Sequence, residues 1–148
     1  MSEPDELTDS PTDWVAAHIR EYVSSGGKKG ARFYGHEALL LTTGGRRSGR
    51  LRRTALYYGV DGDRYVLVAS DGGAPADPNW YRNLAADPGV VIQVGTETFG
   101  AFASTATGTE RARLWELMVG VFPKYAQYQA KAGREIPVVI IERAVEAT

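Results

Sequence analysis

Thr54-Ala55-Leu56-Tyr57-Tyr58-Gly59-Val60-Asp61-Gly62-Asp63-Arg64-Tyr65-Val66-Leu67-Val68-Ala69-Ser70, residues 54–70, decides the fold class. Leu56, Tyr57, Tyr58 and Val60 make one β-favouring run, and Tyr65, Val66, Leu67 and Val68 make a second. Aromatic and β-branched side chains fit a pleated, half-buried surface, and Asp61-Gly62-Asp63 between the runs is a tight-turn signal. The stretch predicts an antiparallel hairpin of 54–60 with 64–70.

Working outward, Ala38 to Thr43 is another short apolar run, bounded by Gly44. Val90–Val94 and Thr98–Ser104 read as a second strand pair around Gly95-Thr96-Glu97, and Ile136–Ile141 as a closing strand entered through Pro137. Between the pairs, 77–84 reads as a short helix capped by Asp77 and opened by Pro78. A first helix starts near Pro11, with Ser10 as cap. It buries Val15, Ile19 and Tyr22 on one face, beside Trp14 and Val23, and ends at Gly26-Gly27. A later helix begins at Thr107-Gly108-Thr109-Glu110, which has capping-box spacing, and presents Leu114, Leu117, Met118 and Val121. Pro123 interrupts it before a last helical piece carrying Tyr125 and Tyr128. Strands do not alternate with long helices, so a parallel nucleotide-binding sheet is disfavoured. The fold class expected is α+β: a small antiparallel split barrel with peripheral helices, residues 11–148 in one domain behind an acidic, flexible tail at 1–10.

The chain has 148 residues and 43% hydrophobic content, enough for one sizeable core. A formal net charge of −1 gives no global pull towards nucleic acid or anionic lipid, so any positive site must be local. With no cysteine there is no disulfide, thiolate metal site or cysteine nucleophile, which fits the cytoplasm. His18 and His36 are the only histidines and stand apart, so no metal centre is expected. The acidic start does not resemble a secretory signal.

The strongest chemical signal is Gly44-Gly45-Arg46-Arg47-Ser48-Gly49-Arg50-Leu51-Arg52-Arg53, with five arginines and three glycines between two strands. Arginine forks match phosphate and carboxylate, glycine permits close backbone approach, and Ser48 adds a hydroxyl. A solvated basic turn is the plain alternative. No glycine-lysine-serine opens a helix here, so this is not an ATPase phosphate loop, and the overall charge argues against a nucleic-acid hairpin. Ala69-Ser70-Asp71-Gly72-Gly73 ends a strand in a small loop whose amides and Ser70 hydroxyl suit a planar polar ring, or simply form a strand exit. Trp80, Tyr81 and Asn83 suit either a ring contact or core packing. Tyr125 and Tyr128, three apart, share a helix face and serve as substrate wall or as packing. No carboxylate pair, serine-histidine-acid set or dinucleotide fingerprint stands out. From the residues alone the chain is a β-barrel domain with a local anion site.

In this order the segments resemble the deazaflavin-dependent nitroreductase family, split-barrel reductases that use coenzyme F-420. The resemblance runs from Leu39 to Arg143. It rests on Leu41-Thr42-Thr43 with Gly45-Arg46-Arg47-Ser48-Gly49, on Arg52 with Leu56-Tyr57-Tyr58, and on Ser70-Asp71-Gly72-Gly73. Pro78-Asn79-Trp80-Tyr81-Arg82-Asn83-Leu84, Pro123-Lys124-Tyr125 with Tyr128-Gln129, and Arg134 with Ile136-Pro137-Val138 complete it. It implies that Arg46, Arg47, Ser48 and Arg52 hold the cofactor's phosphate and acidic tail. Arg53, Thr54, Ala55, Leu56 and Tyr57 line the deazaflavin, while Val68, Ala69, Ser70 and Asp71 border its ring. Asn79, Trp80, Tyr81, Arg82 and Asn83 close the pocket, and Tyr125 sits by ring and substrate. Tyr125, Tyr128 and Ser70 are the candidate donors to the acceptor. The implied activity is hydride transfer from the reduced cofactor to a quinone, an activated enone or a nitroaromatic. Arg47, where members often have lysine, and Ala55, Asp71 and Phe122 depart from common family residues, and these departures bear on nitroimidazole reduction rather than on cofactor binding. A flavin mononucleotide (FMN) enzyme, a non-catalytic deazaflavin carrier and a membrane-surface protein using the first helix are the competing readings. Peripheral membrane contact is expected if the acceptor is a lipid quinone, and oligomeric state stays open.

Overall fold

The computed structural model describes residues 8–9, 13–30, 32–33, 36–46 and 49–144. The strands are β1 (Thr8–Asp9), β2 (Arg32–Phe33), β3 (His36–Gly44), β4 (Leu51–Tyr57), β5 (Gly59–Asp61), β6 (Arg64–Val68), β7 (Gly89–Val94), β8 (Glu97–Thr105) and β9 (Val138–Arg143). The helices are α1 (Asp13–Ser24), α2 (Asn79–Ala86), α3 (Gly108–Val121) and α4 (Lys124–Ala132). The sheet runs β1-β4-β3-β7-β8-β9-β6-β5, with β2 paired to β3. Every ladder is antiparallel except β1 with β4, where Thr8 and Asp9 lie beside Arg52 and Arg53. The expected helix cap at Ser10 and Pro11 lies outside the described residues, as does the tail at 1–7 and at 10.

Two-residue periodicity along the strands produces two of the cores. Leu39, Leu41, Leu67, Ile92, Val139 and Ile141 point into the barrel. Their neighbours Val66, Val68, Val138 and Ile140 point outward, where α3 and α4 cover them with Leu114, Met118 and Tyr125. A third cluster packs Val15, Ile19 and Tyr22 of α1 on Leu40. Each fully buried aliphatic side chain of this kind stabilises the fold by about 1.5–3 kcal/mol. The Tyr22 hydroxyl accepts from the Gly95 amide at 2.7 Å and faces the Ala38 and Gln93 carbonyls at 3.1 and 3.2 Å. It therefore pins α1 to β3 and to the β7–β8 turn.

One expectation is corrected. Residues 54–57 do not pair with 64–70. They pair with β3, from Ala38 opposite Tyr57 to Gly44 opposite Leu51. Tyr58 leaves the ladder, and only Gly59–Asp61 forms the short hairpin with Arg64–Val66. The tight turn at 61–63 is local. The apolar match of Leu39 with Leu56 is not, and it sets the longer register.

Two caps also go elsewhere. Asp77 makes no cap on α2, whose N-cap is Pro78, and Glu110 closes no capping box. Asp77 receives Arg134, and Glu110 receives Arg64 at 3.1 Å. Asp61 takes Arg64 at 2.5 Å and both ends of the Arg113 fork at 2.9 and 3.0 Å, tying α3 to the β5–β6 turn. Hydrogen bonds from Arg113 and Arg64 hold the Asp61 carboxyl well below its ordinary 3.8. A depressed folded value means the contribution is full above about pH 4 and fades as pH falls through the folded value. Asp61→Asn is therefore expected to lower the thermal midpoint at pH 7, with the gap from the parent narrowing below about pH 4. A gap that stays constant into acid would show that the ion pairs do not stabilise the fold.

Candidate active site

The barrel is not closed. β4 stands near one end of the strand order and β5–β6 at the other, and no ladder joins them among the described residues. The seam between these unjoined edges, termed the slot, has residues 52–57 on one lip and residues 68–73 on the other.

At the Tyr57 end of β4 lies a set of packed aromatic rings. Tyr58 approaches Tyr65 at 5.5 Å between centroids. Tyr57 lies 5.1 Å from Phe122, and Phe122 lies 5.0 Å from Tyr125. His36 joins this cluster at 5.0 Å from Tyr57 and 5.2 Å from Phe122. Tyr128 completes it at 6.3 Å from Tyr125. Burial above all, then Tyr57 and Tyr128, push the Tyr125 phenol far above its ordinary value, so it keeps its proton throughout the neutral range.

At the other end stands the arginine turn. The Gly45 amide donates to the Arg50 carbonyl at 2.7 Å and the Gly49 amide to the Gly45 carbonyl at 2.8 Å, closing the turn between β3 and β4. Arg46 Nη1 donates to Asn83 Oδ1 at 2.9 Å and its backbone amide to the same oxygen at 3.3 Å, while Nη2 reaches Asn79 Oδ1 at 3.4 Å. Asn83 Nδ2 donates to Thr43 Oγ1 at 3.3 Å. Buried Asn83 thus seats α2 against the turn.

The structure brings some of the residues expected at the site together and divides others. Arg46, Asn79 and Asn83 form one hydrogen-bonded group. Along β4, Arg52, Thr54 and Leu56 share the face of Thr43, Leu41 and Leu39, which lines the barrel. Arg53, Ala55 and Tyr57 share the opposite face, where Ala55 packs on α1 and Tyr57 joins the aromatic cluster. Trp80 and Tyr81 lie half-buried against the barrel core, and Tyr81 shares a 2.8 Å hydrogen bond with Thr105. Arg82 is exposed. On the other lip Val68, Ala69 and Ser70 are buried and Asp71 is exposed. Arg47 and Ser48 lie outside the described residues.

Three contributors carried no clear signal. His36 looked isolated, because its partners Tyr57 and Phe122 are distant in sequence. Thr43 was only a strand end. Arg134 appeared in a motif without a role, although it donates to Ala69, Ser70, Ala74 and Asp77. With Lys131 and Glu135 beside it, Arg134 reads locally as one more charged residue before the strand.

The donor set suits an anion at the turn end and a flat, weakly polar ring along the slot. A split antiparallel barrel of this kind has the flavin-reductase-like fold. The chain belongs to the F420H(2)-dependent quinone reductase family, whose model matches residues 14–143. It is 40% identical over 130 residues to the F420H(2)-dependent quinone reductase Rv1261c of Mycobacterium tuberculosis, covering 85% of this chain and 87% of that one. Among solved structures it is similar to one described as a domain-swapped dimer, with TM-score 0.70, 38% identity, and coverage of 90% of this chain and all of the other. It is also similar to an F420-H2 dependent reductase (FDR-A), with TM-score 0.66, 40% identity, and coverage of 71% and 93%. Family membership makes the protein an oxidoreductase with reduced coenzyme F-420 as hydride donor and quinones as acceptors. No helix among the described residues is long and apolar enough to cross a membrane.

Proposed function

We propose that the slot between β4 and β6 holds the deazaflavin, with its anionic tail at the arginine turn and its ring towards the aromatic cluster. The observation that carries this reading is the polarity along β4: the Arg46 guanidinium at one end, and at the other the buried Tyr125 phenol beside half-buried Tyr57 and Tyr128, with Ser70 buried on the opposite lip. The bound cofactor supplies a hydride at the ring.

The chain's own residues do the rest. Arg46 and Arg52, with Arg47 and Ser48, neutralise the phosphate and acidic tail through charge-assisted hydrogen bonds. Thr54, Leu56 and the 68–71 lip orient the ring and keep water from it. A quinone gains two electrons and two protons on becoming a quinol, so negative charge builds on its oxygen as hydride arrives. Tyr125, protonated across the neutral range, Tyr128 and Ser70 are the donors this reading assigns to that oxygen. Lipid quinones are the acceptor class that would bring the protein to a membrane surface. A second copy of the chain is the partner suggested by the dimeric relative.

Two single changes test this. The loss of reduced-cofactor absorbance is followed after addition of a soluble quinone. Wild type is expected to turn over. Tyr125→Phe and Tyr128→Phe are expected to bind the cofactor as wild type does, while kcat and kcat/KM fall together. The fall is on the order of tenfold for a hydrogen bond of about 1.4 kcal/mol in the transition state. Wild-type rates in both variants and in the double variant would leave the tyrosines as packing groups. No oxidation of the reduced cofactor by any quinone would contradict the reaction itself.

A further inference from the structure

Arg134 sits between α4 and β9, and only 15% of its side chain is exposed. All three guanidinium nitrogens are engaged by one loop. Nε donates to the Ala74 carbonyl at 3.0 Å, and Nη1 to Asp77 Oδ1 at 2.7 Å and the Ala69 carbonyl at 3.4 Å. Nη2 donates to the Ser70 carbonyl at 3.1 Å and the Ala69 carbonyl at 3.3 Å. Arg134 is itself fixed to α4. Gln129 Nε2 donates to its carbonyl at 2.5 Å, and the Ile136 amide donates to Gln129 Oε1 at 2.9 Å.

The gripped segment does not hold its shape alone. Asp71, Gly72 and Gly73 follow one another with φ of 47°, 65° and 84°. Asp71 is the only non-glycine residue with positive φ among those described, and such a conformation persists where its surroundings over-determine it. Arg134 supplies that restraint on both flanks of the turn, at 69–70 and at 74–77. On the far side the turn lies directly on α4, since a Cβ on Gly73 would stand 3.0 Å from the Tyr128 carbonyl oxygen. An architectural ion pair needs Asp77 alone. The three backbone carbonyls are a separate set of contacts, and they belong to the lip that carries Ser70.

We infer that Arg134 is a positioning residue for the cofactor ring: it holds the Ala69–Gly73 lip at the width and angle the ring requires, without touching the ring. The inference rests on the reading of the slot as the deazaflavin site. Lysine keeps the charge and can reach Asp77, but one ammonium cannot span carbonyls from Ala69 to Ala74.

The test compares wild type with Arg134→Lys by titration with oxidised coenzyme F-420. Acrylamide, a neutral quencher, is then applied to the bound cofactor's fluorescence, and thermal midpoints are measured. R134K is expected to bind on the order of tenfold more weakly, with the bound ring more open to acrylamide. Its kcat should fall by roughly tenfold to a hundredfold, as for a reacting group displaced by about an ångström. A merely structural arginine would lower the thermal midpoint and leave ring exposure unchanged. Wild-type affinity and wild-type quenching in R134K would overturn the inference while leaving the proposed function intact. If wild type itself does not bind the cofactor, the slot reading fails and the inference with it. If R134K does not fold, Gln129→Ala replaces it, which frees Arg134 from α4 and leaves its partners on the lip unchanged. That variant is expected to raise ring exposure in the same direction by less, and unchanged exposure there overturns the inference.

Discussion

Replacing Arg46 and Arg52 together by alanine is expected to lower affinity for coenzyme F-420 by on the order of a hundredfold or more at low ionic strength. Hydrogen bonds to charged groups contribute about 1.5–3 kcal/mol each, and about 1.4 kcal/mol is tenfold in affinity. Arg52 is exposed on the strand that leads from the turn, so its removal takes away charge and little packing. Arg46 acts twice: it faces the turn, and it holds Asn83 and Asn79 of α2. Asn79→Ala, which removes only the 3.4 Å contact, separates the two roles and is expected to change affinity far less. Salt supplies a second readout. Wild-type affinity should fall with added salt and the double variant's should fall less, because the screened charges are already gone. Unchanged affinity at low salt would reduce the hairpin to a solvated basic turn.

The largest effect on the fold is expected at Gly27. The turn after α1 runs so close to the β7–β8 turn that a Cβ on Gly27 would lie 1.6 Å from the Gly95 carbonyl oxygen and 2.8 Å from the Thr96 amide nitrogen. Its φ of 86° is also one that L side chains rarely adopt. Backbone must therefore move, and the motion falls where Tyr22 accepts from the Gly95 amide. Gly27→Ala combines a left-handed penalty of about 1–2 kcal/mol with the displacement of α1 from the sheet. The total is on the order of 4 kcal/mol, or roughly 10 °C in thermal midpoint for a chain of this length. Gly26→Ala is the control. Its φ is 67°, but a Cβ there meets nothing, so only the conformational penalty applies. Equal losses in the two variants would show that steric contact with Gly95 is unimportant.

Much of this was legible because it is local. The unbroken apolar runs Leu39-Leu40-Leu41 and Val138-Val139-Ile140-Ile141 predict strands, and the structure buries both their faces, against barrel and helices. The arginine turn, the α1 face of Val15, Ile19 and Tyr22, and the Val90–Ser104 pair are read from adjacent residues and were found in place. What was not legible depends on partners far along the chain. A β-run advertises that it will pair, not with which strand, so 54–57 could equally have joined 64–70 or 38–41. Asp77 and Glu110 sit at good cap positions, but each carboxylate is taken by a guanidinium from far along the chain, Arg134 and Arg64. The cluster of His36, Tyr57, Phe122, Tyr125 and Tyr128 draws on four separate elements, so no window of sequence contains it. The Arg134 clamp is the extreme case, since its acceptors stand 57 to 65 residues earlier.

The slot reading is tested most directly by titrating the cofactor-free protein with oxidised coenzyme F-420 and, separately, with flavin mononucleotide, each followed by its own fluorescence. The arginine turn extends further than a single phosphate requires, so the deazaflavin with its longer acidic tail should bind more tightly. Equal or tighter binding of flavin mononucleotide would contradict the assignment of the slot.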